Sequence, residues 1–106
     1  MAKFKELKEC KQVFQDAIAE NFDGMYLKSE FLDELIKRYG LETLLYLCAM
    51  TITGHEWDGR YSRRNKEWAR TVKIEEAESV RWQLELNTHP AVLDGVTNAL
   101  LKKIKN

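Results

Sequence analysis

The sequence lacks the long apolar runs that membrane proteins require. Apolar residues make up 44% of the 106 positions, yet no window approaches the roughly 18 continuous apolar residues of a membrane span. The N-terminus, MAKFKELKECKQ, alternates charged and apolar residues and has no apolar core of a secretory signal. These absences predict a protein of the cytoplasm, either that of the producing cell or that of a host cell.

The sequence also has few cysteines, no cluster of glycines and no net charge. Cys10 and Cys48 cannot build a disulfide framework, and their apolar neighbours predict buried, reduced thiols. The five glycines fall singly, so there is no glycine-rich phosphate loop and no cofactor is predicted. With 17 basic and 17 acidic residues the net charge is zero, which disfavours both an acidic DNA mimic and a strongly basic nucleic-acid coat.

Helical periodicity is what the sequence does contain. Apolar residues recur every three or four positions in a first segment that should end near residues 21–24. A second segment should begin near Lys28 or Ser29 and end at Gly40 in a left-handed conformation. The third segment, LETLLYLCAMTIT, is apolar on nearly every face, which predicts a central buried helix closed by Gly54.

Two more helices complete the predicted fold. A fourth follows Ser62, a favourable N-cap residue, and a fifth begins at Pro90. Residues 74–87 fit a helix and an alternating strand equally well, and we favour a short helix followed by an extended segment near residues 80–87. We therefore predict a mainly α, compact single domain over residues 1–106, built from about five helices.

Positive charge is concentrated in residues 60–73, where six basic residues meet the single acid Glu67. On a helix, the apolar side chains of this segment fall on one face and a basic stripe falls on the opposite face. Arginine predominates, and its planar fork suits carboxylate or phosphate partners. The predicted partner-binding residues are Arg60, Arg63, Arg64, Lys66, Arg70 and Lys73.

Aromatic residues surround this basic block. Trp57, Tyr61 and Trp68 could form a platform on which nucleobases stack while the arginines grip phosphates. The interpretation we favour is that the tryptophans anchor the core and the stripe is solvated.

Farther along the chain, Trp82 and Leu86 would indicate a dimer contact if an extended segment exposed them.

The turn before the fourth helix holds a second group of polar residues, HEWD. His55, Glu56 and Asp58 could serve as acid and base or hold a divalent metal. Their spacing matches no metal signature, so a hydrogen-bonded turn is favoured and neither a metal site nor a catalytic residue is predicted. Together with Trp57, they form a secondary candidate surface. The other histidine, His89, is interpreted as a helix-entry residue before Pro90.

The run YGLETLLYLCAMTITGHEWDGRYSRRNKEWARTV resembles an uncharacterised domain family of small bacterial proteins, common on plasmids, conjugative elements and prophages of Gram-positive bacteria and gut anaerobes. The resemblance rests on a Tyr-Gly before a buried helix, a DGR-(F/Y)-S-x-x-N-K-x-W-A block and a His-Pro before the last helix. These motifs correspond here to Tyr39-Gly40, residues 58–69 and His89-Pro90. The family has no assigned chemistry, so the resemblance transfers no catalytic residue.

Residence on mobile elements, as the resemblance implies, favours a non-enzymatic interaction protein. We expect an inhibitor of a host defence nuclease, similar in action to anti-CRISPR proteins, that binds stoichiometrically through the basic helix face. Its expected partner is a nucleic-acid-handling nuclease or the ribonucleoprotein of that nuclease. The protein could also contact nucleic acid directly, and no membrane partner is expected. The alternatives are a nucleic-acid-binding accessory or regulatory protein of the element, and an enzyme that uses His55, Glu56 and Asp58 with Arg60.

Overall fold

The computed structural model describes residues 4–23, 26–55, 59–72 and 83–104. These residues form a mainly α bundle, which confirms the predicted fold class. The helices and strands are α1 (Phe4–Asn21), β1 (Phe22–Asp23), β2 (Tyr26–Leu27), α2 (Ser29–Tyr39), α3 (Leu41–Gly54), α4 (Arg63–Thr71) and α5 (Pro90–Ile104). None of the described helices is both long enough and apolar enough to cross a bilayer.

Helix α3 lies at the centre of the bundle, as its apolar sequence predicts. Every residue from Leu44 to Ile52 is buried, and α3 contacts α1, α2, α4 and α5. Because no face of α3 meets water along this stretch, the surrounding helices supply the charged surface.

Helix α1 shows the opposite pattern, with one buried stripe. Leu7, Cys10, Phe14 and Ile18 are buried at steps of three and four residues, and the side chains between them are exposed or half-buried. Cys10 and Cys48 are both free and buried, as predicted. Burial raises the pKa of each thiol to about 12. Neither cysteine is therefore a thiolate near neutral pH.

Gly40 alone separates α2 from α3. Its N–H donates to the Ile36 carbonyl at 2.7 Å, and its φ of 91° is the positive value expected for a glycine that ends a helix. Its ψ of 143° differs from the predicted left-handed helical conformation. The extended ψ lets α3 begin at the next residue instead of requiring a longer loop.

A short antiparallel hairpin lies between α1 and α2, where the sequence had indicated only the end of the first helical segment. Phe22 pairs with Leu27, and Asp23 pairs with Tyr26. Because each strand has only two residues, it is too short to produce a recognisable alternation in the sequence.

The segment that precedes α5 was ambiguous between helix and strand. Residues 83–84 are helical and residues 85–87 have no regular structure, whereas residues 73–82 lie outside the described ranges. Leu86 is 2% exposed, and its N–H donates to the Thr51 hydroxyl at 3.0 Å. The condition for a dimer contact, an exposed Leu86, is therefore not met, because this residue belongs to the core. Trp82 is not among the described residues.

Candidate partner-binding surface

Helix α4 begins at a side-chain cap, as the sequence predicted. Ser62 has extended backbone angles, and its hydroxyl accepts a hydrogen bond from the Asn65 N–H at 3.1 Å. The Ser62 N–H itself donates to the Asp94 carboxylate at 2.9 Å. The start of α4 is thus tied both to its own first turn and to α5. Asp58, which lies four positions before Ser62, is outside the described residues.

The Asn65 side chain, fully buried on α4, extends this connection to α5. Its amide Nδ2 donates to the Asp94 carboxylate at 2.8 Å and to the Asn98 side-chain oxygen at 2.9 Å. A longer contact of 3.4 Å reaches the Asp94 carbonyl. Asn65 Oδ1 is buried and has no hydrogen-bond partner in the described structure, so this arrangement retains one unsatisfied acceptor.

We call Ser62, Asn65, Asp94 and Asn98 the polar seam. Helical phase puts Asn65 on the inner face of α4, among apolar residues. Its partners were missed, because Asp94 and Asn98 are about thirty positions away in the sequence. The available signal was the polar residue itself, since an asparagine on an apolar face needs buried partners. Hydrogen bonds are directional, so the seam fixes the rotation of α4 about its own axis.

Apolar contacts complete the inner face of α4. Tyr61 and Ala69 are buried, and Trp68 and Val72 are half-buried against the core. Tyr61 is 2% exposed, so its ring does not offer a face for a stacked nucleobase. This removes Tyr61 from the aromatic platform considered above, and Trp57 lies outside the described residues. Trp68 packs on the core, although it is not fully enclosed.

The outer face of α4 carries the predicted cations. Arg63, Arg64 and Arg70 are exposed, Lys66 is half-buried, and Lys73 lies outside the described residues. Arg63 Nε contacts the Glu67 carboxylate at 3.3 Å. We call Arg63, Arg64, Lys66 and Arg70 the basic face. The structure places all four on one nine-residue helix, with the polar seam on the opposite side.

Arg60 occupies a different position, in the turn that precedes α4. Its Nη1 lies 2.7 Å from Nε2 of His89, while His89 Nδ1 accepts a hydrogen bond from the Ala91 N–H at 3.2 Å. The His89 carbonyl accepts from the Leu93 N–H, so His89 is the helix-entry residue that the sequence predicted. Arg60 is thereby located beside the start of α5 and not on α4 itself.

The secondary candidate group is only partly described. His55 caps the end of α3, and its Nε2 lies 3.2 Å from the carboxylate of Glu85, a residue that no sequence pattern had indicated. Glu56, Trp57 and Asp58 lie outside the described residues. Among the residues that are described, no group of three or more histidine, cysteine or acidic side chains could hold a metal ion.

A shallow polar cavity of about 380 Å³ lies between α1, α2 and the start of α3, away from α4. The Glu9 carboxylate accepts from Arg38 at 3.3 Å and from the Tyr39 hydroxyl at 3.4 Å. Partial burial raises the pKa of Tyr39, and the nearby Arg38 opposes that shift. Glu9 and Arg38, two of the charged groups that line this cavity, are therefore paired with each other.

Comparison with known proteins gives a family but no relative of known activity. No curated protein and no solved structure matches the chain significantly. A family model described as "Protein of unknown function (DUF3849)" matches residues 2–105. This match covers the bundle, the polar seam and the basic face, and the chain therefore belongs to the DUF3849 family.

Proposed function

We propose that this protein is encoded on a mobile genetic element and inhibits a host defence nuclease. It would do so by binding its target stoichiometrically through the basic face. The observation that carries the proposal is the construction of α4. Its inner side is held by the polar seam and by Tyr61 and Ala69, while three arginines on its outer side are exposed. A preformed face of this kind binds without the entropic cost of ordering a loop.

The resemblance to proteins of plasmids, conjugative elements and prophages supports the cellular role. Small single-domain proteins of such elements that lack cofactor motifs often bind and block a host protein. A nuclease or its ribonucleoprotein fits the charge of the basic face, because such proteins contain acidic active sites or expose phosphates. This proposal places the protein in the cytoplasm, where the nuclease works.

The second candidate is a nucleic-acid-binding accessory or regulatory protein of the element. The exposed arginines favour it, because their guanidinium groups also suit phosphate oxygens. The burial of Tyr61 removes one base-stacking residue from this candidate, so binding would depend mainly on phosphate contacts and fall steeply with salt. An enzyme built on His55 is the third candidate, with Glu85 as the described partner.

Charge reversal tests the basic face directly. We expect Arg64→Glu with Arg70→Glu to weaken partner capture about tenfold or more, while the free energy of unfolding changes by less than about 0.5 kcal/mol. Tagged wild-type and variant proteins would be compared in quantitative pull-downs from a host lysate. Each pull-down would be repeated after the nucleic acids in the lysate have been digested with a non-specific nuclease. The matched control is Lys8→Glu with Lys37→Glu, which reverses two exposed charges on α1 and α2.

The outcomes separate the candidates. Equal capture by the folded α4 variant and the control would exclude the basic face as the binding surface. Capture that disappears after nuclease treatment would favour the nucleic-acid accessory protein. A catalytic rather than stoichiometric effect, lost on His55→Ala, would favour the enzyme.

A further inference from the structure

We propose that the basic face recognises a protein surface of mixed charge, in which carboxylates meet the arginines and a cation meets Glu67. This inference rests on the proposed function and specifies the chemistry of its partner. Glu67 is the only acid in α4, and its position decides which surfaces the helix can oppose.

Glu67 lies within the basic face and not at its border. At about 100° per residue, Glu67 is about 40° from Arg63, and Arg64 is about 60° farther in the same direction. Arg70 lies about 20° on the other side of Arg63. The Glu67 side chain is 60% exposed. Any partner that covers the arginines must therefore also cover this carboxylate.

The contact between Arg63 and Glu67 does not remove that carboxylate from recognition. The two groups are 3.3 Å apart at i,i+4 spacing, and both are exposed, so their attraction is weak. Glu67 retains acceptor capacity for a second donor, because an ionised carboxylate has two oxygens. A lysine or arginine of the partner can bind there while Arg63 turns toward a partner carboxylate.

A nucleic-acid backbone fits this pattern poorly. Phosphates supply acceptors and negative charge at every position, so they would satisfy the arginines and repel Glu67. Tyr61, which could have added base stacking, is buried. The zero net charge of the chain gives little additional long-range attraction toward a polyanion. A mixed-charge protein surface satisfies both signs of α4 at once.

The test compares the affinities of wild type and one variant for three probes that differ in their pattern of charge. Glu67→Lys would be titrated with a helical peptide that carries one lysine among four glutamates on a single face, an all-glutamate peptide of the same length, and a 20-base-pair DNA duplex. At constant ionic strength, wild type should bind the mixed-charge peptide most tightly. The variant should lose about two- to fivefold in affinity for that peptide and gain a similar factor for DNA and the all-glutamate peptide.

Glu34→Lys is the matched control, since it reverses an exposed acid on α2 with the same change in net charge. It should leave the order of the three probes unchanged, and thermal unfolding should confirm that both variants fold. Wild-type preference for DNA or for the all-glutamate peptide would overturn the inference, and so would failure to bind the mixed-charge peptide. If Arg64→Glu with Arg70→Glu still weakened partner capture by about tenfold or more, the proposed function would survive that result. If it did not, both proposals would fail.

Discussion

Two interfaces of the bundle hold their helices by different means. Where α1 packs on the central part of the bundle, the buried groups are apolar side chains such as Phe14 and the neutral thiol of Cys10. Where α4 meets α5, the contact includes the polar seam, with Asn65 at its centre. Apolar packing stabilises the fold but tolerates substitutions that conserve volume. The polar seam supplies less stability, but its directional bonds determine which side of α4 faces the solvent.

Asn65 Oδ1 is buried without a protein hydrogen-bond partner, so the described residues of the seam do not pair every polar atom that the seam buries. A buried acceptor without a partner costs free energy, and an apolar pair of similar volume would avoid that cost. We interpret the seam as an orienting contact, because a rotation of α4 by one residue would move the basic face toward the core. Mutations in the two interfaces should therefore affect different properties of the protein.

The largest effect is expected in the apolar interface. Phe14→Ala removes a fully buried ring and should lower the free energy of unfolding by about 3–5 kcal/mol. Denaturant unfolding followed by circular dichroism measures this loss. Phe14→Leu should lose much less, because it retains most of the apolar volume. A loss in Phe14→Ala no larger than that in the leucine variant would contradict the role assigned to this interface.

A smaller effect with a more local consequence is expected in the polar seam. Asn65→Ala removes the donor to Asp94 and Asn98 and should cost about 2 kcal/mol. Amide hydrogen exchange should accelerate more in α4 than in α1, because α4 loses its orienting bonds. Asn98→Ala is the milder comparison, since it removes only one acceptor. Equal acceleration in both helices would show that the seam stabilises the whole fold without orienting α4.

The helix cap should give the smallest of these effects. Ser62→Ala removes the acceptor of the Asn65 N–H and should cost about 1 kcal/mol, whereas Ser62→Asp should retain most of that stability. Ser29→Ala serves as the control, because the α2 N-terminus has no side-chain cap. Thermal unfolding of the three variants distinguishes a cap from a general effect of losing a hydroxyl group. Equal losses at both serines would exclude the capping role.

The sequence predicted those features whose causes are local. Apolar spacing indicated the helices, Ser62 indicated the start of α4, and Gly40 indicated a break that requires positive φ. It did not predict the polar seam or the partner of His55, because Asp94 and Glu85 meet α4 and α3 only after the chain folds back. Glu67 is a different case, since its place in the basic face followed from helical phase alone.

The buried thiols have a practical consequence for chemical labelling. Because the pKa of Cys10 and of Cys48 is about 12 and both side chains are enclosed, neither should compete for a maleimide at neutral pH. A cysteine introduced at exposed Arg64 would then be the selective attachment point for a fluorophore or a photo-crosslinker. The native core thereby permits a covalent probe to be placed on the outer side of α4 without first removing either cysteine.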